Sequence, residues 1–148
     1  MALTQVNTGV IAAGGIHTNN LIDDAVTTGK LAADSVTSVK VGTEFTTASA
    51  LTAAATIDVD YTTAQVFTLT PNANTTLNIT NPVIGVAKTI IVTGSGGTYT
   101  VAYTVGGAAG TFNLIAGEYD DTSALKNFIQ ITCVSATEFW YSISQIAT

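Results

Sequence analysis

Charge is scarce in this chain. Only 9% of its 148 residues are charged, against about a quarter in an ordinary globular domain. The surface must therefore be built from Thr, Asn, Ser, Gly and exposed apolar groups, which suits a chain partly covered by partners. Arginine is absent, the basic residues are Lys30, Lys40, Lys88 and Lys126, and the net charge is −6. No basic stripe can be assembled to neutralise phosphates, which excludes DNA or RNA as a direct partner. A single cysteine, Cys133, excludes an intrachain disulfide, and the alternating residues around it predict a buried, inert thiol. One Cys and one His cannot make a zinc site. The lone histidine, His17, stands in a repeat where its equivalents are Asn7, Thr27 and Thr37. It is read as a variable polar position and not as a catalytic base. The N-terminus lacks a basic region followed by an apolar core, so no signal peptide is expected. No uncharged apolar run reaches membrane-spanning length. Synthesis and assembly in a cytoplasm, without a membrane partner, are the expectation.

What the chain does have is threonine, valine and isoleucine, with 13 Gly for turns. These residues suit pleated, half-buried surfaces, and the composition reads as β. The length predicts one domain plus an arm.

The first 42 residues carry a repeat with a period of ten. Aliphatic residues recur at every fifth position: Val6, Ile11, Ile16, Leu21, Val26, Leu31, Val36 and Val41. A hydroxyl follows the first aliphatic of each unit, at Thr8, Thr18, Thr28 and Ser38. That spacing fits neither a helix nor a plain strand. Each unit is read as a short extended piece, then a tight turn or single helical turn capped by a residue such as Thr27. So few apolar groups cannot bury their own stripe. The eight aliphatics are therefore the expected contacts with sister chains or with a surface on which the arm lies. Residues 43–55 are low in complexity and read as a linker or a short helical stretch.

From residue 56 to 148 the pattern is β. Alternation predicts about eight strands, at 57–61, 66–70, 75–80, 88–93, 98–105, 111–115, 127–134 and 138–143. Turn chemistry separates them at Pro71-Asn72-Ala73-Asn74, Asn81-Pro82, Gly94-Ser95-Gly96-Gly97 and residues 106–110. Ser135-Ala136-Thr137 is short enough for a hairpin. The expected fold is an all-β sandwich or jelly roll behind an extended N-terminal arm.

No catalytic set, metal site or cofactor site emerges, and an enzyme is not expected. The acid pairs Asp23/Asp24, Asp58/Asp60 and Asp120/Asp121 read as turn acids and solvated strand faces. A calcium site would sit best at Asp120/Asp121 with Glu118, yet the dense spacing of an EF-hand is missing. Gly94-Ser95-Gly96-Gly97 lacks the Lys-Ser/Thr of a phosphate loop. The aromatics Phe139, Trp140 and Tyr141, with Tyr99, Tyr103 and Phe128, suit either core or a carbohydrate platform. In a strand, Phe139 and Tyr141 point one way and Trp140 the other.

Residues 24–34, Asp-Ala-Val-Thr-Thr-Gly-Lys-Leu-Ala-Ala-Asp, resemble the "AVTTAKLAD"-type repeats of bacteriophage tail-fibre and virion-surface proteins. The order Phe67-Thr68-Leu69-Thr70, Asn74-Thr75-Thr76-Leu77, Asn81-Pro82, Gly85 and Gly96-Gly97 is similar to β domains of phage fibres, head fibres and decoration proteins. The terminal Phe139-Trp140-Tyr141 strand fits that pattern. The resemblance implies a structural homotrimer displayed on a virion. Tail fibres are usually much longer, so it implies a capsid decoration (cement) protein on the head exterior, with the major capsid protein as partner. The alternative is a short head or tail fibre that binds a host glycan through loops 106–110 and 117–123.

Overall fold

The computed structural model describes residues 36–37 and 40–146. The chain divides into two units, Met1–Thr37 and Ser38–Thr148. The arm aliphatics Val6, Ile11, Ile16, Leu21, Val26 and Leu31, like His17, lie outside the described residues. Val36 and Val41 are exposed, at 62% and 38%.

Among its described residues, the second unit is all-β apart from one helical turn, α1 (Thr43–Thr46). Nine strands follow: β1 (Ala48–Ala50), β2 (Thr56–Asp60), β3 (Val66–Leu69), β4 (Thr75–Thr80), β5 (Ala87–Thr93), β6 (Val101–Val105), β7 (Thr111–Ala116), β8 (Lys126–Cys133) and β9 (Glu138–Ile146). They form a six-stranded sheet in the order β1-β3-β5-β8-β9-β7 and a three-stranded sheet in the order β2-β4-β6.

This corrects the expected topology. In a jelly roll or Greek-key sandwich the strands pair antiparallel. Here β1, β3 and β5 pair in parallel, and so do β2, β4 and β6. The chain steps from one sheet to the other and back, winding as a β-solenoid. The winding ends at β8, which pairs antiparallel with both β5 and β9. β7 then adds in parallel to the far side of β9.

Parallel register stacks like on like. Val59, Ile79 and Val105 form one row across the small sheet. Phe67, Ile90, Ile129 and Ile143 form another across the large one. These inward rows are buried and face a common core. Burying apolar side chains of this size contributes on the order of 1.5–3 kcal/mol each. A polar row runs beside them. Asn78 donates to Asp58 Oδ1 at 2.7 Å, and its own Oδ1 accepts from Thr104 Oγ1 at 3.1 Å. The side chain is buried but satisfied, so the row stabilises register instead of weakening the sheet.

The start of the winding is closed by α1. Lys88, fully buried at the head of β5, donates to the Glu44 carbonyl. Its ammonium lies 5.3 Å from the Phe45 ring centre and 5.7 Å from that of Tyr61. Burial lowers its pKa, and the charge of Glu44 opposes that shift. A buried ammonium adds little net stability over an apolar group of similar shape. Lys88→Met is therefore expected to leave global stability within about 1 kcal/mol while releasing α1. Hydrogen exchange should show faster amides at residues 43–47 and unchanged protection in β5.

Candidate functional site

Two loops on one flank of the solenoid enclose an open groove of about 610 Å3, lined by Gly96, Thr98, Tyr99 and residues 118–123. The first loop joins β5 to β6 and the second joins β7 to β8. Both are held by one carboxylate. Asp121 Oδ1 accepts the Ser95 N–H at 2.9 Å and the Tyr119 hydroxyl at 2.8 Å, and its Oδ2 accepts the Tyr99 N–H at 3.0 Å. The Ser95 hydroxyl bonds both oxygens. Burial alone would raise this carboxyl. The Ser95 and Tyr99 N–H groups and the two hydroxyls outweigh it and hold the pKa down to about 2. The Tyr119 hydroxyl moves the other way, pushed up by burial and then by its hydrogen bond to Asp121 and the charges of Asp121 and Asp120.

The second loop is fixed at further points. The buried Asn127 side chain accepts the Asp120 N–H at 2.9 Å and donates to the Asp120 carbonyl at 2.7 Å. Gly117 has φ +83°, and a Cβ there would run into the Ile143 carbonyl oxygen, so only glycine fits. Thr98 on the groove wall has φ +59°, a strained left-handed conformation for a β-branched residue. Such strain is held where surrounding structure over-determines it, and here Asp121 fixes the neighbouring Tyr99 N–H.

Asp120 behaves as a turn acid, as the sequence suggests. Its Oδ1 accepts the Thr122 hydroxyl and N–H, and these bonds lower its pKa. Asp60 does the same with Thr62 and Asn81. Asp121 departs from that reading, because it is buried and spans two loops. Glu118, Asp120 and Asp121, the place where a calcium site would sit best, do not form a ligand cluster. Among the described residues, no group of three or more His, Cys, Asp or Glu is placed to hold a metal. Cys133 is buried, and burial raises its thiol pKa.

The aromatics divide as strand geometry requires. Phe139 is in the core, Tyr141 packs against it, and Trp140 is 49% exposed on the opposite face. Tyr103 stacks near Phe112 and Tyr141, at 5.4 and 4.8 Å between ring centres. Tyr99 and Tyr119, half-buried, are the aromatics that line the groove. Of the loops proposed for recognition, 117–123 forms one groove wall, whereas 106–110 is no part of it. The sequence signal for the groove was Gly94-Ser95-Gly96-Gly97. Read as a turn, it is also the backbone that presents N–H groups to Asp121.

Compared with protein-family models, curated proteins and solved structures, the chain matches none. Among the described residues, no helix is long and apolar enough to cross a membrane.

Proposed function

We propose that this chain is a structural component of a bacteriophage particle, a decoration protein that binds the head exterior as a homotrimer. The ten-residue repeat carries the reading. Its eight aliphatics, Val6 to Val41, cannot bury one another within a single short arm. An arm of that kind gains its stability from sister chains and from the major capsid protein beneath. A solenoid poor in charge, with no catalytic set among its described residues, suits a mechanical role. The role is to add buried area across capsomer junctions, which stabilises the shell by mass action.

Copy number in purified particles is the test. Quantitative mass spectrometry should find the chain at the same order as the major capsid protein, and a chain absent from particles would remove the proposal. Deleting residues 1–42 is expected to abolish capsid binding while the solenoid keeps its far-UV circular dichroism. Decoration by the truncated chain would show that the arm is not the clamp.

The groove favours a second reading, a short fibre that binds a host glycan. Tyr99 and Tyr119 offer aromatic faces, and Thr98, Glu118, Asp120, Thr122 and Ser123 offer polar edges. A low copy number, with saturable binding to host cells that free sugar blocks, would replace the first reading by this one.

A further inference from the structure

We propose that the free edge of β7 is where a second copy of this chain joins the large sheet. Among the described residues, β7 is the last strand of that sheet and pairs with β9 on one side alone. Beyond the β9 ladder, the one backbone hydrogen bond of β7 among the described residues runs from the Thr111 N–H to Thr137. Among the described residues, its remaining outward N–H and carbonyl groups form an unpaired row.

Soluble proteins usually guard such a row with charges, proline, brevity or a bulge. β7 reads Thr-Phe-Asn-Leu-Ile-Ala, six residues without a charge or a proline. One guard is present, a register shift between Leu114 and Ala116. It leaves Thr111 to Leu114 regular and adds apolar surface, because Leu114 is 48% and Ile115 66% exposed. The opposite end of the solenoid is guarded. There β1 has three residues, and β2 carries Asp58 and Asp60.

Charge selects the occupant. A chain of net charge −6 repels its own copies across acidic surface, and like bodies meet best where both are neutral. The uncharged edge of β7 is complementary to an uncharged strand of an identical chain. Backbone pairing supplies the hydrogen bonds, and Leu114 and Ile115 supply the apolar contact. This inference rests on the self-association within the proposed function and not on the virion.

The test is the molar mass of the full chain by light scattering and native mass spectrometry, for the wild type and for Leu114→Lys/Ile115→Lys. The wild type should run at a multiple of 15.1 kDa. The double variant should run at the single-chain mass with an unchanged far-UV spectrum. Its amides at 111–116 should exchange roughly tenfold faster than in the wild type. If the double variant loses its fold, Ile115→Lys alone, at the bulge, carries the same test. A wild type at single-chain mass, or folded lysine variants that keep the multiple, would overturn the proposal. Self-association by β7 in a protein absent from particles would defeat the virion reading and leave this one standing.

Discussion

Replacing Asp121 with alanine is expected to destabilise the solenoid by about 3 kcal/mol and to lower Tm by roughly 10 °C. The carboxylate satisfies the Ser95 and Tyr99 N–H groups and the Tyr119 hydroxyl together. Removing it leaves four donors, the Ser95 hydroxyl included, without their acceptor, in a place where water reaches them poorly. The damage should be local first, with faster exchange at Ser95 and Tyr99 and loss of the groove. The pH dependence has a definite sign. The folded pKa is about 2 against an ordinary 3.8, so the unfolded chain binds more protons between those values. The stabilisation from Asp121 is fully present above about pH 4 and is lost as pH falls towards 2. Acid denaturation of the Asp121→Ala variant should be correspondingly shallower over that window. An unchanged acid limb would show that the carboxylate does not link the two loops.

Truncating Phe139 to alanine is expected to cost about 4 kcal/mol, measured by chemical denaturation. The ring is fully buried. It stacks on Phe112 at 4.9 Å and meets Tyr61 edge-on at 6.4 Å. It therefore joins β7, β9 and the corner after β2, so a cavity there touches both sheets. Phe139→Leu fills most of that space and should cost less than half as much. Trp140→Ala, one residue along on the exposed face, should fall within about 0.5 kcal/mol of wild type. Equal costs at 139 and 140 would contradict the division of faces in β9.

Each of the eight strands expected from alternation has its counterpart, because inward and outward faces are written directly into residue order. What alternation omits is the neighbour. The row Val59, Ile79 and Val105 would read the same in an antiparallel sandwich, so the parallel winding stayed hidden. β1 was missed because Ala48-Ser49-Ala50 has no large side chain to reveal a period. It is a strand because β3 supplies a partner edge. The strand expected from residue 98 begins only at Val101, since Thr98 adopts positive φ. At the groove, Asp120 and Asp121 look alike in sequence. They differ because Asp121 meets N–H groups from a loop more than 20 residues earlier, a contact that only the winding creates.

The winding also sets the order in which this chain can acquire structure. Most strands pair with one that lies beyond an intervening strand, so each pairing must first close a long loop. Among the described strands, β8 and β9 are the one pair that are both adjacent in sequence and bonded to each other. Their short turn makes them the cheapest place to nucleate, and the parallel coils upstream are intrinsically slow to form. During synthesis, the first coils leave the ribosome before the hairpin that would seed them exists. Folding of the solenoid is thus expected to begin at the β8–β9 hairpin and to proceed backwards along the chain, so that pulse-labelled hydrogen exchange should protect β8 and β9 before β2 to β4.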